Sequence, residues 1–559
     1  MSSESFAPAA ARNQTEVFAV HGADPEVLAY AMAKYSRSSL SMRESLAEIS
    51  AQRAEQFLNT FYFQYGHRSI ADLAHIAFAV ERLSLLAAIL LVDEQRWDGQ
   101  ERSTRYQNFL KSGWYLPDFG SNTAAAQLFT QTIENLFAAY QRTSAQVLEA
   151  LRRRIPCPDG MKPEACERAL KARAFDVARY LLPLATNTSL GQIVNARTLE
   201  TQVSRLLSSK FAEVRDLGLK LRDAATGPAF DVRARAGQAF VDKLAAFEQA
   251  ASLKGAGFSP HENQPLGEGA LVPEGNPSAS LAEEAATLLT REIRTAPTLV
   301  KYAEPSPYLI QTQSALRQAA TELLAKTPIA SSPLVDLVER TESLEVELAA
   351  SLIYSVSHHP YRQIRDIVAA LPSARVNQLV ELGLIHRGKH DELLRAFHAG
   401  ADLRFDILMD IGGFRDMHRH RRSTQILQEF TALHGYETPS HGDLGPDVDI
   451  LAEAGALDGY HDAVRQAHSA GMRIAASGAC DAPLSALYLL PLATRIRCLF
   501  KMDFAEAQYI SELRSGPAGH FSYRRVAWEM FRALERQHPT LARHIRVTDF
   551  TQPIDLLQR

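Results

Sequence analysis

The chain has 559 residues, too many for a single hydrophobic core, and this length predicts two to four domains. Its composition, 46 % hydrophobic and 22 % charged residues, is that of an ordinary globular protein. A formal net charge of -4 argues against a generally basic protein that coats nucleic acid, so we do not expect nucleic acid as a partner. The four cysteines form no CxxC pair and no zinc-type spacing, so we expect reduced thiols and no metal site.

The amino-terminal sequence and the apolar runs bear on where the protein resides. The segment MSSESFAPAAARNQTEV has no charged start followed by an apolar stretch, which is not the pattern of a secretory signal. The longest apolar run, LSLLAAILLV at Leu83–Val92, is about half of what a bilayer requires. We therefore predict a buried helix there, no membrane span and a cytoplasmic protein.

Apolar residues at three- and four-residue intervals predict helices in both halves of the chain. Alternating strand patterns are short and few. The expected fold class is therefore α+β, mainly helical with small sheets. The helical pattern covers residues 26–38, 41–63, 123–154, 315–326, 343–356 and 523–537.

The segment Gly255–Ser278 marks a change of unit, because it has nine Gly or Pro in 24 residues and neither apolar period. We interpret it as a linker. The predicted domain division is residues 1–250, a linker over 251–282, and residues 283–559.

The hexapeptide LLPLAT occurs at Leu181–Thr186 and again, 308 positions later, at Leu489–Thr494. A similar order of landmarks precedes each copy. It comprises a charged helix, a His-containing turn (residues 65–72 and 388–397), an apolar helix, an Arg-rich polar stretch and a long helical spacer. An Arg-bearing helix follows each copy. We interpret the chain as a tandem duplication of one unit whose copies have drifted apart.

The polar stretch of the second half, Phe414–Phe430, contains five consecutive basic or titratable residues, His418 to Arg422. Three interpretations fit them. They could form a solvated basic helix face, a phosphate-contacting patch for nucleic acid, or a site for a phosphorylated small molecule, because guanidinium groups bind phosphate in bidentate fashion. The spacing alone does not choose among the three.

The corresponding stretch of the first half, Asp93–Phe109, contains QERSTRY. If this segment is extended, Glu101, Ser103 and Arg105 lie on the same side of it. A carboxylate, a hydroxyl and a guanidinium that point together suit a sugar hydroxyl and a phosphate. The alternative is an ordinary surface turn.

These stretches resemble the signature of the flavin-dependent thymidylate synthases (ThyX), which reads RHR, two residues, S, one residue, NE, one residue, S, one residue, RY. The second half keeps the front as Arg419-His420-Arg421 but has other residues at the back. The first half keeps the back, with Gln100 for the usual Asn, and replaces the front by Asp-Glu-Gln at residues 93–95. The back residues kept by the first half are Glu101, Ser103, Arg105 and Tyr106, where the second half has Leu427, Glu429, Thr431 and Ala432.

Each half has thus lost what the other retains. The resemblance implies sites built between subunits of a homotetramer, with the RHR end of one subunit facing the SxRY end of another. A fused pair could discard one of each end and still form complete composite sites, whereas random decay has no reason to spare opposite ends. The resemblance therefore implies a homodimer of the fused chain that is similar to a tetramer of single units.

Other segments resemble further family motifs. The phosphate-binding Arg of ARxxLP corresponds to Arg179, where the second half has Leu487. The segment that touches flavin corresponds to Asn195–Leu199. The remaining residues matched to family positions are Arg205 and Arg514 for the Arg that holds the pyrimidine, followed by His520, and His67, Ser69 and Asp72 for the HxS..E that meets flavin.

The resemblance implies methylation of dUMP to dTMP, with methylenetetrahydrofolate donating the carbon and FAD, reduced by NADPH, donating hydride. Charge that develops on the uracil ring must then meet fixed positive donors, and the flavin carries the redox chemistry. The implied catalytic residues are Arg419 and Arg514. The implied substrate residues are Glu101, Ser103, Arg105, Tyr106, Arg179 and Arg205. The implied cofactor residues are Ser69, Asp72, Asn195, Arg197, His420, Arg421 and His520.

Other mechanisms have less support in the sequence. Ser103 lies in no GxSxG elbow, and no GxGxxG follows a predicted strand, so neither a serine hydrolase nor a Rossmann oxidoreductase is indicated. Two alternatives stay open. One is a flavin-dependent methylase of another uracil nucleotide, and the other is a nucleotide- or nucleic-acid-binding relative without turnover.

Overall fold

The computed structural model describes residues 20, 22–34, 42–48, 68–255, 280–339, 341–388, 391, 393–398, 400, 403–439, 444, 448–543 and 545–557. The chain divides into two compact units. The smaller unit comprises Met1–Ile76, Asn195–Arg197 and Asp223–Lys301, and the larger unit comprises Ala77–Val194, Thr198–Arg222 and Tyr302–Arg559. The compact units are defined by contacts within the structure, whereas the predicted domains follow the duplicated sequence. The boundaries at residues 250 and 283 therefore stay a prediction.

The first half of the chain contains helices and three strands. Its helices are α1 (Pro25–Lys34), α2 (Met42–Glu48), α3 (Leu85–Leu91), α4 (Thr123–Arg154), α5 (Pro163–Ala178), α6 (Ala196–Leu207), α7 (Ala212–Thr226) and α8 (Ala234–Gly255). Its strands are β1 (His75–Ser84), β2 (Asp98–Glu101) and β3 (Asn187–Asn195), and short 3-10 turns lie at Arg68–Leu73 and Arg179–Leu181.

The second half has a similar composition of elements. Its helices are α9 (Leu281–Leu289), α10 (Pro307–Leu324), α11 (Leu344–Tyr354), α12 (Tyr361–Ala369), α13 (Ser373–Leu382), α14 (Ile411–Met417), α15 (Ile450–Glu453), α16 (Leu457–Ala475), α17 (Ala482–Leu487), α18 (Phe504–Ser515), α19 (Phe521–Gln537) and α20 (Pro539–Ala542). Its strands are β4 (Val335–Leu337), β5 (Leu403–Asp410), β6 (Thr424–Leu427) and β7 (Arg495–Met502), and a 3-10 turn lies at Arg395–Phe397. The predicted class, mainly helical with small sheets, is confirmed.

The apolar run that predicted a buried helix forms the end of β1 and then α3, in which Leu85, Leu86 and Leu91 are buried. The side chain of Ser84 caps α3 by accepting a hydrogen bond from the Ala87 amide at 2.9 Å, which satisfies one of the free donors of the first turn. No helix in the part of the chain that the structure describes is long and apolar enough to cross a membrane.

Two small sheets organise the larger unit. One has the strand order β1-β3-β2, with β2 antiparallel to β3, and the other has the order β4-β5-β7-β6 with antiparallel neighbours. The registers of the two sheets correspond: Asp98 opposes Ile193 in the first, and Thr424 opposes Lys501 in the second. Residues of β2 and β6 are thus related by 326 positions, and residues of β3 and β7 by 308.

The second sheet packs against α10 to α13 through a continuous apolar core that includes Leu316, Ile353, Ile364, Leu379 and Leu499. Fully buried apolar side chains of this kind contribute about 1.5–3 kcal/mol each to folding. The core holds the sheet in place, and the segment between β5 and β6, which carries the RHR triplet, is consequently fixed at both ends.

The two LLPLAT copies pair with each other. The Leu184 amide donates to the Leu490 carbonyl at 2.9 Å, and the Leu492 amide donates to the Leu182 carbonyl at 2.9 Å. These bonds exchange roles when each residue is replaced by its counterpart 308 positions away. The antiparallel bridge of Pro183 with Pro491 lies between them. The repeated hexapeptides therefore meet across a pseudo-two-fold axis.

The same relation extends away from the axis. The Leu86 amide donates to the Leu184 carbonyl at 3.1 Å, and the Gly412 amide donates to the Leu492 carbonyl at 3.1 Å. Helices α3 and α14 are therefore equivalent, and so are their caps, Ser84 and Asp410. Structural equivalence in the larger unit can thus be assigned from hydrogen bonds rather than from residue identity.

In the smaller unit, helix α1 is tied to the chain near residue 298. The Glu26 carboxylate is buried and accepts hydrogen bonds from the Thr298 and Leu299 amides at 2.9 and 2.7 Å. Helices α8 and α9 pack on each other and flank the predicted linker. Residues 256–279, which are most of that linker, lie outside the described residues, and so does His67.

Candidate functional site

The segment QERSTRY is extended only at its start. Strand β2 ends at Glu101, and the chain then turns, with the Arg105 amide donating to Ser103 Oγ at 3.2 Å. Glu101, Ser103 and Arg105 are therefore not three alternating positions of one strand, as the sequence suggested for an extended segment. Tyr106 is 53 % exposed.

Arg105 is buried and nearly saturated with acceptors. Its Nε donates to Asp176 Oδ1 at 2.9 Å, its Nη1 donates to the Tyr523 hydroxyl at 2.9 Å, and its Nη2 donates to the Ala518 carbonyl at 3.2 Å. Burial lowers the pKa of Arg105, but Asp176 outweighs it, so the net pKa is raised and the group stays charged. Arg105 thus joins the first repeat to the loop and helix α19 of the second.

Arg179 follows α5 and is 2 % exposed. Its Nη1 lies 3.3 Å from Asp416 Oδ2 of the second repeat and 3.5 Å from Thr104 Oγ1. Its Nε and Nη2 have no hydrogen-bond partner in the described residues. A buried guanidinium with unpartnered donors is costly unless another group satisfies it.

Asp416 is the centre of the site. Burial raises the pKa of its carboxyl, but the guanidiniums of Arg179, Arg105, Arg419 and Arg514 lower it further, so the net pKa is below its usual value. Two of these four arginines come from the first repeat and two from the second. The structure therefore brings Arg179 into contact with Asp416, and the charges of Arg105, Arg419 and Arg514 act on the same carboxylate.

Glu101 also contacts the second repeat. Its carboxylate is ion-paired with Arg415, and both side chains are largely buried. Removing one partner of a buried ion pair of this kind strongly destabilises the fold. Glu101 is therefore placed in the site, but as the partner of an arginine.

The RHR triplet begins just after α14, and its three side chains point to different surroundings. Arg419 is exposed and makes no hydrogen bond or ion pair with another described residue. His420 is buried and accepts a hydrogen bond at Nε2 from Arg514 Nε at 2.7 Å, while its Nδ1 lies 3.4 Å from Glu506 Oε1. Burial lowers the pKa of His420 despite Glu506, which fits a neutral ring that accepts from Arg514. His420 thereby orients Arg514.

Arg421 faces another group of residues. It donates to the carbonyls of Val92 and Glu94, each at 2.7 Å, and its guanidinium lies 4.5 Å from the centre of the Trp97 ring. Burial lowers its pKa to about 10. Both hydrogen bonds come from Nη1, so this nitrogen is committed to the protein backbone.

His520 is fully buried and caps helix α19. Its Nε2 lies 3.0 Å from the Asp176 carbonyl, and its Nδ1 accepts from the Ser522 amide at 3.1 Å. Burial lowers the pKa of the ring well below its usual value. The structure thus gives both ring nitrogens a protein partner and does not place His520 on a ligand-facing surface.

Arg205 lies in a second group. Its guanidinium is 2.7 Å from Glu94 Oε1 and donates to the Leu90 carbonyl at 2.8 Å. Counted from LLPLAT over 308 positions, Arg514 corresponds to Leu206, and the buried faces of α6 and α18 agree with this register. Arg205 is therefore one position away from equivalence with Arg514.

Four of the predicted cofactor residues lie in the smaller unit. Asp72 and Arg197 contact each other there, with Arg197 Nη1 3.3 Å from Asp72 Oδ2. Ser69 lies in the 3-10 turn Arg68–Leu73, and Asn195 ends β3. These residues are described within that unit alone.

Several residues of the site were missed by the sequence reasoning. They are Thr104, Asp176, Arg415, Asp416 and Tyr523. Asp176 and Arg179 are three positions apart, and neighbours at this spacing lie on one helical face, which could have identified Asp176. Arg415 and Asp416 flank the RHR triplet but follow no spacing that would have distinguished them. Tyr523 is brought in by a loop between two helices, for which the sequence holds no signal.

Comparison with known proteins agrees with this geometry. The family model Thy1, described as thymidylate synthase complementing protein, matches residues 19–225 and again residues 336–540. The chain therefore belongs to the Thy1 family and carries its unit twice. The predicted tandem duplication and the resemblance to ThyX are confirmed.

Full-length and partial relatives both occur. A UPF0159 protein of Chlamydia muridarum is 25 % identical over 562 residues, which covers 94 % of this chain and 91 % of that protein. A flavin-dependent thymidylate synthase of Clostridium tetani is 27 % identical over 179 residues, 32 % of this chain and 67 % of that protein. Among solved structures, a Helicobacter pylori ThyX in complex with FAD and dUMP is 18 % identical, with a TM-score of 0.25, and the match covers 36 % of this chain and 89 % of that one.

The histidines near β6 predict a pH-dependent stability. His358 and His434 have ring centres 6.0 Å apart, and burial, with the nearby Arg497 and His358, lowers the pKa of His434 to about 4. The folded state therefore resists protonation of His434, so its contribution to stability is complete above about pH 6.5 and is lost as the pH falls towards 4.

We expect His434→Asn to flatten the pH dependence of the free energy of unfolding over this range, by less than about 1.4 kcal/mol per pH unit, the ceiling for one titrating group. Urea unfolding between pH 7.5 and 4.5 measures the slope. Wild-type protein unfolded in the same buffers provides the reference slope. Equal slopes for wild type and His434→Asn would contradict the prediction.

Proposed function

We propose that the protein is a flavin-dependent thymidylate synthase that methylates dUMP to dTMP with methylenetetrahydrofolate as carbon donor and NADPH as reductant. The observation that carries the proposal is the buried contact between the repeats in which Arg179, with two unpartnered nitrogens, pairs with Asp416 at 3.3 Å, while the charges of Arg105, Arg419 and Arg514 act on the same carboxylate. Membership of the Thy1 family and the partial similarity to named flavin-dependent thymidylate synthases support it. A homodimer of the duplicated chain belongs to the same proposal, since closed two-fold assembly is the commonest for such proteins.

The charge of the site favours a nucleotide phosphate. Arg179 is the buried guanidinium with donors to spare, because its Nε and Nη2 have no hydrogen-bond partner among the described residues. A buried cation of this kind attracts an anion more strongly than it would in water. Guanidinium forks are suited to the planar geometry of phosphate oxygens.

The residues divide into those that are free to bind and those that hold them. Arg419, which is exposed and has no hydrogen-bond or ion-pair partner among the described residues, and the terminal nitrogens of Arg514 would polarise the uracil carbonyls as charge develops on the ring. His420, Asp176 and Glu101 fix the arginines that they contact. Arg105 and Tyr523 join the two repeats beneath them.

The residues fit FAD in part. Arg419 and Arg514 keep donors that a flavin ring or its pyrophosphate could accept from. His520 has protein partners at both ring nitrogens, and Arg421 uses its Nη1 for two backbone carbonyls. FAD, when bound, would supply the hydride, and this chain's contribution would be to orient the uracil nucleotide against it.

The proposal predicts that the purified protein carries or takes up FAD and converts dUMP to dTMP. The assay supplies FAD, NADPH and methylenetetrahydrofolate and measures dTMP by chromatography. UMP in place of dUMP tests the alternative of another uracil nucleotide as the acceptor. A colourless protein that takes up no FAD and forms neither product would overturn the enzyme proposal.

Two neighbouring arginines give a matched pair of variants for that assay. Arg419→Ala should lower kcat by roughly 10²–10³-fold, as the loss of a donor to developing charge does. Arg422, three residues further from Arg419, is exposed and ion-paired with Asp503 at 2.5 Å, so Arg422→Ala should retain turnover. Equal loss in both variants would indicate a general effect of positive charge.

A further inference from the structure

We infer that each chain binds one nucleotide, although it contains two copies of the family unit, because the position related by the pseudo-two-fold axis is closed by its own ion pairs. The inference rests on the proposed function. We call the position described above the nucleotide site and its counterpart, defined by residues 90–94, Leu206, Leu427, Thr431 and Leu487, the mate position.

The equivalence is fixed by hydrogen bonds. The caps of α3 and α14 are 326 positions apart, and so are the residues of β2 and β6 that oppose equivalent residues of β3 and β7. The LLPLAT copies fix the offset of the following elements at 308. Every residue of the nucleotide site therefore has an assignable counterpart.

All four guanidiniums around Asp416 are missing at the mate position. Arg419 corresponds to Asp93, Arg105 to Thr431, Arg179 to Leu487 and Arg514 to Leu206, and Asp416 itself corresponds to Leu90. A phosphate there would meet two leucines, a threonine and a carboxylate. None of these attracts an anion.

The cations that do lie near the mate position are already paired. Asp93 is ion-paired with Arg395 of the second repeat and lies 3.5 Å from His418 Nε2. Burial raises the pKa of Asp93, but Arg395 and His418 lower it well below its usual value, so the carboxylate stays charged. Arg205 pairs with Glu94, and Arg421 donates to the carbonyls of Val92 and Glu94.

A carboxylate also stands at the counterpart of Ser103. This residue is Glu429, which lies 2.9 Å from both Lys210 Nζ and Arg317 Nε. The two cations that could have contacted a phosphate are thus engaged by a group of the protein. The Asp93–Arg395 and Lys210–Glu429 pairs each join the first repeat to the second, so the mate position serves as a contact between repeats.

Titration calorimetry of the full-length, FAD-saturated protein with dUMP tests the inference. We expect a single class of site with one nucleotide per chain. Thr431→Ala, at the mate position, and Arg317→Ala, which removes the partner of Glu429 beside it, should leave the stoichiometry and the Kd within about twofold of wild type, because side chains away from the bound ligand rarely change affinity more.

Two nucleotides per chain, or a stoichiometry that falls in Arg317→Ala, would overturn the inference. Wild-type protein that binds no dUMP at all would overturn the proposed function, and the inference with it. A stoichiometry of one with no dTMP formed would leave the single site standing and reject turnover alone. The outcomes therefore separate the two proposals.

Discussion

Arg179→Leu is expected to abolish dUMP binding, with Kd rising by at least about 30-fold, since the loss of a charged contact in a desolvated site costs roughly 2–5 kcal/mol. The substitution gives the nucleotide site the residue that Leu487 provides at the mate position. It also leaves Asp416 without its ion-pair partner at 3.3 Å, so the carboxylate would repel a phosphate. Equilibrium dialysis with labelled dUMP measures the change.

The double variant Arg179→Leu/Asp416→Asn separates binding from folding. Removing both charges avoids an unpaired buried carboxylate, so the double variant should unfold at a higher urea concentration than Arg179→Leu. It should still bind dUMP poorly, because the guanidinium is absent. Nucleotide affinity close to wild type in either variant would remove Arg179 from the site.

Arg497→Met is expected to destabilise the fold by about 3–5 kcal/mol, the usual cost of breaking a buried ion pair from one side. Arg497 Nη1 lies 2.9 Å from Asp406 Oδ2, and both side chains are almost fully buried between β5, β7 and the helices above them. Asp406 would keep only the Tyr354 hydroxyl and the Tyr361 amide as donors, at 2.8 and 2.9 Å. Urea unfolding followed by circular dichroism gives the free energy of unfolding.

An apolar replacement of the whole pair is the informative control. Arg497→Met/Asp406→Leu should recover much of the stability lost by Arg497→Met, because a buried ion pair can often be exchanged for apolar side chains of similar volume. The fully exposed pair of Arg465 with Asp462 provides the second control, and Arg465→Ala should be silent. A single variant as stable as wild type would show that the Arg497–Asp406 pair is not needed.

The sequence predicted the duplication and several of the described helices because both depend on local pattern, whereas most of the predicted helix at residues 41–63 lies outside the described residues. The 32-residue helix α4 has the bounds of its apolar period, residues 123–154. The complementary halves of the family signature led to four arginines that the structure brings together. Periodicity and motif spacing depend only on the order of residues, so they persist after the two copies have diverged in sequence.

Features that depend on partners distant in sequence were not predictable in this way. No sequence pattern near Arg105 indicates that Asp176 and Tyr523 will accept its hydrogen bonds. None indicates that the charges of four arginines will act on Asp416. His520 follows a plausible motif but is enclosed by Asp176 and Ser522. A motif identifies a side chain, whereas its availability to a ligand is decided by the elements that pack around it.

The pairing of the LLPLAT copies has a consequence for how such a chain can change. In a dimer of identical subunits, one codon change alters both sides of every symmetric contact. Fusion removes that coupling. The Ser84 hydroxyl donates a hydrogen bond to the Glu213 carboxylate on one side of the axis, whereas on the other side the Asp410 carboxylate accepts one from the Ser522 hydroxyl, so that the cap is a hydroxyl in one repeat and an acid in the other. At the axis each hexapeptide pairs with the other copy, so a substitution in one copy changes the surroundings of the other. Fusion therefore allows residues away from the axis to diverge independently. The nucleotide site can then serve catalysis and the mate position can hold the two repeats together, whereas the paired LLPLAT copies remain dependent on each other.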